Sequence, residues 1–277
     1  MIPANNNDLT DNINSIYLFI FRSNYLLLKC LDDKYEVPMS DSASQMYNGF
    51  NLNCVPTFID GHECGAITVA PDYQPGENMC FVSLRDSYHC LPEKLYRVAG
   101  IAYQLLYWEE NSKYCSVCGS LMERLPVNGK CCPNCKKEVW PRINPAIIVL
   151  IRRKELGEAE KVLLVKAHNF KGDFYGLVAG FLEVGESLEE CVVREVYEET
   201  HLKIKNLKYF GSQSWPYPSG IMIGFIADYD GGEIVLQESE LKSASWYSKD
   251  NLPRIPEKLS IARKLIDYWV DSMSTSS

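Results

Sequence analysis

Apolar and polar positions along the first part of the chain alternate in short runs. Ser15-Ile16-Tyr17-Leu18-Phe19-Ile20-Phe21 and Tyr25-Leu26-Leu27-Leu28-Lys29-Cys30 read as strands joined by a short Arg-Ser-Asn turn. Residues 33–54 carry mixed turn signals, and residues 1–12 are polar and expected to fray. Cys64 to Ala70 and Met79 to Leu84 read as further short strands. From Leu91 to Glu110 the period changes to that of a helix, with Leu95, Val98, Ile101, Ala102, Leu105 and Trp108 on one side. Residues 1–112 therefore read as a small α+β domain, in which the sequence offers no arguable chemistry. From Pro145 the pattern is denser. Ala146–Ile151 and Lys161–Val165 are continuous apolar runs of the kind buried on both faces. A glycine-rich turn, a helix at Ser187–Thr200, three strands after Lys205 and a last helix near Pro256–Met273 follow. Residues 144–277 thus predict a layered α/β domain with a mixed sheet.

Between these two stretches, residues 113–143 form a module dominated by cysteines. Cys115-Ser116-Val117-Cys118 is followed by thirteen residues and then by Cys132-Pro133-Asn134-Cys135. Two such knuckles can close four thiolates around Zn²⁺, and the segment between them suffices for a hairpin with a turn at Asn128-Gly129. With all four positions filled by protein the site would be structural. Cys131 breaks the spacing and is assigned no ligand role. The competing possibility is four buried thiols without metal.

Hydrophobic residues make up 46% of the 277, ample for a packed core. No apolar run reaches the ~20 residues of a membrane helix, and the first residues lack a secretory n-region, so a cytoplasmic protein is expected. The eleven cysteines include the two CxxC pairs, which in a cytosolic chain favour metal over a disulfide framework. A net charge of −8 argues against general binding of a nucleic-acid backbone, and DNA is not an expected partner. Charge is also unevenly placed. Lys113 to Lys154 holds nine Lys or Arg against Glu123 and Glu138, whereas Gly180 to Thr200 holds seven Glu against Arg194. The basic excess leaves a nucleic-acid contact on the cysteine module as a rival to an ordinary solvated face.

The acidic segment carries the most chemistry. Ser187 and Glu190 have the spacing of a capping box. From Leu188, one helical stripe runs through Val192, Glu195 and Glu199, so carboxylates continue an inward-facing apolar row. Glu195 and Glu199 repel at i,i+4, and Glu198 and Glu199 sit in the last turn, where the helix dipole favours cations. A divalent cation would relieve both problems, and hard oxygen ligands suit Mg²⁺ or Mn²⁺. Arg194 can pair with Glu198. Gly180 and Gly185 allow a tight turn that brings backbone beside these carboxylates. Taken alone, the helix is equally readable as a solvated Glu-rich face.

The segment resembles the Nudix box, Gly-x5-Glu-x7-Arg-Glu-U-x-Glu-Glu-x-Gly-U, in which U is bulky and aliphatic. Gly180, Glu186, Arg194, Glu195, Val196, Glu198, Glu199 and Leu202 match. His201 stands where that pattern has Gly, and His tolerates the left-handed conformation expected there. Further on, Ser212-Gln213-Ser214-Trp215-Pro216-Tyr217-Pro218-Ser219-Gly220 resembles the NADH pyrophosphatase signature Ser-Gln-Pro-Trp-Pro-Phe-Pro-x-Ser. Ser214, Tyr217 and Gly220 depart from it. Pro216 and Pro218 fix φ around Tyr217, giving a preset aromatic wall for a base; a proline-rich turn with a core Trp is the plainer reading.

The resemblance to the NADH pyrophosphatase and NAD-capped RNA hydrolase family implies a Nudix α/β/α sandwich with a mixed sheet, preceded by the zinc ribbon and the small N-terminal domain, in a homodimer. It implies hydrolysis of NAD(H) to NMN(H) and AMP, and removal of NAD caps from RNA ends. Glu195, Glu198, Glu199 and Arg194 would be catalytic, and the Ala179 carbonyl with Glu195, Glu199 and Glu240 would hold Mg²⁺ or Mn²⁺. Substrate contacts would fall on Gln213, Ser214, Trp215, Pro216, Tyr217, Pro218, Ser219 and Gly220, with Trp140 and Ala262 as weaker candidates; Trp140 is as readily a buried contact of the ribbon. Glu238 lies near Glu240 and competes for its place. Glu198 and Glu186 both remain candidates for the general base. ADP-ribose or another nucleoside diphosphate derivative is the alternative substrate, and a catalytically silent RNA-binding or regulatory module the alternative class.

Overall fold

The computed structural model describes residues 15–32, 34–40, 53–125, 128–168 and 172–274. The stretch 1–12 expected to fray lies outside them. The described chain divides into two compact units, one of residues up to Arg142 together with Pro216–Ser219, the other of Ile143–Trp215 and Gly220 onward. The cysteine module belongs to the first.

In the first unit, β1 (Ile16–Arg22), β2 (Tyr25–Leu31), β3 (Lys34–Glu36), β4 (Met39–Ser40), β5 (Asn53–Ile59), β6 (His62–Thr68) and β7 (Met79–Ser83) build one sheet. Its order is β3-β2-β1-β6-β5, with β4 on β1 and β7 on β2. β1 and β6 run parallel and all other pairs antiparallel. Leu18, Ile20, Leu27 and Ile67 fill one face with Met79 and Phe81. The strands β3, β4 and β5 occupy ground the sequence marks as turns or leaves unassigned. Pro56 inside β5 explains part of this: the ladder shifts register between Val55 and Phe58, as a strand must where a proline removes a donor. Cys30 on β2 and Cys80 on β7 form a disulfide, which the sequence does not foretell.

Helix α1 (Glu93–Asn111) is where the periodicity places it. Its buried residues are Tyr96, Val98, Ala99, Gly100, Ala102 and Leu106, while Ile101 is exposed. The expected face, drawn through the largest apolar residues, is thus rotated. Small residues at 99, 100 and 102 let the backbone approach its neighbours, and Tyr103 meets Phe21 of β1 at 5.3 Å. After α1, β8 (Glu123–Arg124), β9 (Lys130–Cys131) and β10 (Glu138–Val139) form the three-stranded ribbon, order β10-β9-β8. Lys130 is 2% exposed. Its ammonium donates to the carbonyls of Glu109 (3.1 Å) and Ser112 (3.2 Å) and pairs with the Glu109 carboxylate at 3.0 Å, capping the C-terminal end of α1.

The second unit is a six-stranded mixed sheet between two helices. It comprises β11 (Asn144–Arg153), β12 (Lys161–Ala167), β13 (Val178–Phe181), α2 (Leu188–Thr200), β14 (Lys203–Trp215), β15 (Gly220–Gly231), β16 (Leu241–Ser248) and α3 (Ile261–Ser274). The order is β14-β15-β11-β12-β16, with β13 on β11 and a parallel β11·β15 pair. Successive residues of β11 face opposite cores. Ile147, Val149 and Ile151 pack with Cys191, Val192 and Val196 of α2; Ile148 and Leu150 pack with Leu265, Ile266 and Trp269 of α3. Burial on both faces is why this strand reads as an unbroken apolar run. The three layers are those expected of residues 144–277.

Candidate active site

The acidic helix starts as its sequence dictates. Ser187 accepts from the Glu190 amide and the Glu190 carboxylate accepts from the Ser187 amide, a complete capping box. The helix ends at His201 in left-handed conformation (φ 58°, ψ 15°), where its amide donates to the Tyr197 carbonyl. The segment after β15 runs beside this end: the amides of Val235 and Gln237 donate to the carbonyls of Thr200 (3.0 Å) and Glu199 (3.1 Å). Those bonds satisfy acceptors that a helix end leaves open. They also deliver Glu240, whose amide bonds the Gln237 carbonyl and whose carbonyl accepts from His168.

Glu195 and Glu199 share this end of α2, and the charge of Glu240 reaches both; among the described residues only the four ribbon cysteines bring their ligand atoms within 4.8 Å of one another. Glu199 is buried, and its Oε2 has no hydrogen-bond partner. Burial, reinforced by the charges of Glu195, Glu240 and Glu198, pushes its acid up to about 8. Burial also raises Glu195; Arg194 opposes, while Glu198 and Glu240 reinforce the rise. The charge of Glu240 thus acts on both. Gly180 of β13 lies against Glu195 so closely that an added Cβ would fall 1.9 Å from its carboxyl carbon. The neighbouring Ala179 pairs with Ile148 in the β11–β13 ladder. An unsatisfied buried oxygen, neighbouring carboxylates and a bare backbone position beside them are chemically compatible with a hard divalent cation.

Arg194 organises the outer side. Its guanidinium donates to both Glu186 oxygens (2.5 and 3.0 Å), to Glu195 (2.9 Å), to Glu198 (2.9 Å) and to the Phe181 carbonyl (3.0 Å). The sequence suggests only the Glu198 pairing. The Glu186 bond comes from the loop before the helix, which periodicity does not reach. Arg194 and the Glu183 amide hold the Glu186 acid down to about 2.

In the ribbon, the sulfurs of Cys115, Cys118, Cys132 and Cys135 all lie within 4.8 Å of one another. Tetrahedral Zn–S bonds of ~2.3 Å imply sulfur separations of ~3.8 Å, compatible with this cluster. The amides of Val117 and Cys135 donate to the sulfurs of Cys115 and Cys132, both at 3.4 Å, as thiolates favour. The Ser120 hydroxyl and amide, with Cys132, lower the Cys118 thiol, whereas the neighbouring cysteine sulfurs raise Cys135. The donor set fits Zn²⁺. Cys131 instead bonds the Cys132 carbonyl.

The remaining candidates are dispersed. Gln213 donates to the Leu259 carbonyl (2.8 Å) and keeps a buried Oε1 without a partner. Ser214 and Pro218 are exposed, Trp215 and Gly220 half-buried, Pro216 and Ser219 buried. Tyr217 points its hydroxyl at that of Tyr96 on α1, a partner 121 positions away that no local pattern signals. Trp140 is 52% exposed, with its indole nitrogen beside Gly129. Ala262 is buried on the core face of α3.

Compared with known proteins, residues 142–269 match the NUDIX domain. Residues 15–108 match the NADH pyrophosphatase-like rudimentary NUDIX domain. The second unit therefore carries a Nudix domain. The chain is 42% identical over 177 residues to a curated NAD-capped RNA hydrolase NudC of Pseudomonas fluorescens, covering 64% of the chain and 62% of that relative. It is 45% identical over 174 residues to the protein of the same name from Photorhabdus laumondii, covering 62% and 66% respectively. The matched stretch thus spans somewhat under two thirds of these relatives. A crystal structure of a NUDIX hydrolase from Nitrosomonas europaea matches with a TM-score of 0.46 at 23% identity, over 57% of this chain and 90% of that one.

Proposed function

We propose that this chain hydrolyses the pyrophosphate bond of NAD(H) to NMN(H) and AMP, and removes NAD caps from RNA 5′ ends. The observation that carries the proposal is the buried, unpartnered Glu199 oxygen among Glu195, Glu198 and Glu240. Carboxylates so crowded are tolerable with a cation among them. Mg²⁺ or Mn²⁺, held by Glu195, Glu199, Glu240 and the Ala179 carbonyl, would supply charge to the diphosphate and Lewis-acid activation of water. The rudimentary NADH pyrophosphatase-like domain and the NudC relatives support the choice of substrate.

The chain's own residues divide the remaining work. Water attacks one phosphorus, its bond to the bridging oxygen breaks, and the proton shed by the water passes to a carboxylate. Glu198 is that acceptor in this reading, because its side chain is 49% exposed and tethered to Arg194. Glu186 is committed at both oxygens and braces Arg194. The aromatic loop around Trp215 and Tyr217 receives the bases, and Gln213 Oε1 is a free acceptor for an amino group. Trp140 and Ala262 are kept as weaker contacts. Zn²⁺ on the four cysteines is structural. A homodimer and a cytoplasmic location belong to the same reading; no described helix is long and apolar enough to cross a membrane.

The test compares NADH, NAD-capped RNA, ADP-ribose and dinucleoside polyphosphates with purified protein in Mg²⁺ or Mn²⁺. NADH and capped RNA should be the better substrates. Equal or faster turnover of ADP-ribose overturns that choice. Products formed in ¹⁸O-labelled water identify the phosphorus attacked.

A further inference from the structure

The pattern that residues 180–202 resemble has Gly where this chain has His201, and the structure gives the added side chain a partner. Nδ1 of His201 lies 3.1 Å from the Val235 carbonyl oxygen, and its ring rests against Tyr197 at 5.2 Å. A carbonyl can only accept, so Nδ1 carries a proton and donates, whether the ring is neutral or charged. Val235 is thereby fastened at both of its backbone polar groups, since its amide donates to the Thr200 carbonyl. It belongs to the stretch 232–240, which joins β15 to β16 and ends in Glu240. A second histidine grips the far end of that stretch. His168, one residue beyond β12, donates its amide to the Glu240 carbonyl (2.9 Å) and its Nε2 to the Glu238 carbonyl (3.1 Å). Between the two grips the backbone turns back on itself, with the amides of Glu240 and Leu241 both reaching the Gln237 carbonyl. All of these groups lie within the second unit. Val235 and Glu238 are exposed residues, so neither ring rescues a buried group. Each replaces a water by a fixed donor, and its effect falls on where the stretch sits rather than on overall stability.

We propose that His201 and His168 are positioning residues: their ring donors hold the stretch 232–240 against the exit of α2, and so keep Glu240 beside the carboxylates of that helix. The consequence for a bound ion rests on the divalent-cation reading above. A groove lined by acidic side chains needs its last ligand supplied from a loop, and a loop places a ligand only as well as it is itself held. The departure at position 201 thus adds a tie that glycine cannot make.

The experiment uses the full chain and two pairs of variants. His201→Gly removes the ring yet suits the left-handed backbone, whereas His201→Asn tolerates that backbone and carries an amide donor at the reach of Nδ1. His168→Ala removes the other ring, and His168→Gln carries an amide donor at the reach of Nε2. Without added metal, amide hydrogen exchange across residues 233–240 should speed about fivefold in His201→Gly and in His168→Ala. It should stay within about twofold of wild type in His201→Asn and His168→Gln. Mn²⁺ affinity, measured by calorimetry, should follow the same pattern, with a loss of about fivefold in the two variants that lack a donor. If those two exchange and bind Mn²⁺ as the wild type does, the rings hold nothing and the proposal is overturned. It is overturned equally if His201→Asn and His168→Gln are as impaired as their partners, because the donor is then not what matters. If wild-type protein binds no Mn²⁺, yet exchange rises without the donors and falls again with the amides, the clamp stands and the cation reading falls.

Discussion

Glu199 is a buried carboxylate with an unpartnered oxygen, a conflict that a bound metal would resolve, and pH should expose it. Its acid is raised from an ordinary 4.5 to about 8 in the folded chain. A raised carboxylate contributes stability that is full below its unfolded value and lost as pH climbs through the folded one. In the presence of a chelator, the melting temperature should therefore decline between about pH 4.5 and about pH 8. Glu199→Gln, which carries no proton to lose, should flatten that decline in a thermal-shift series while abolishing Mn²⁺ binding. In wild-type protein the ion competes with that proton, so Mn²⁺ affinity should strengthen over the same interval. A second prediction at this scale concerns a side chain that is absent. Because a Cβ at Gly180 would overlap the Glu195 carboxylate, Gly180→Ala should displace that side chain. A loss of about 10- to 100-fold in Mn²⁺ affinity is expected, measured by calorimetry, although no charge changes.

Helix α2 is the element on which these residues depend, and its start is set by reciprocal bonds. Ser187→Ala removes one of them and should cost about 1 kcal/mol in denaturant unfolding, with the carboxylates themselves untouched. This helix was legible in advance because independent signals coincide on it: the cap spacing, the apolar period and the carboxylates intruding on that period. His201 at the exit takes the left-handed conformation its place in the pattern demands. The face of α1 was less legible. Size ranks Ile101 above Ala99 and Gly100, whereas close approach ranks them the other way. Strand β5 was hidden by Pro56, and Tyr96 could not be connected with Tyr217 because nothing local marks contacts so distant in sequence. Arg194 shows an intermediate case. Its i+4 partner follows from helical geometry; its stronger partner, Glu186, depends on the path of a loop.

Taken whole, the described chain comprises a mixed-sheet unit that holds the candidate site and a first unit that has its own sheet, its own helix and the ribbon. Cys115→Ser should release zinc, read with a chromogenic chelator, and lower the melting temperature by several degrees, since binding energy at such a site is folding energy. Wild-type zinc content and melting temperature in that variant would refute a structural site. The fate of the ribbon also bears on α1. Lys130 belongs to β9, two residues before Cys132 of the four-cysteine cluster, and its ammonium closes the last carbonyls of the helix. An ion bound there would therefore act as a remote stopper: it would govern where a helix ends without touching that helix. Stripping zinc should let α1 unwind from its tail, with amides of Tyr107–Asn111 exchanging first while β1 and β6 stay protected.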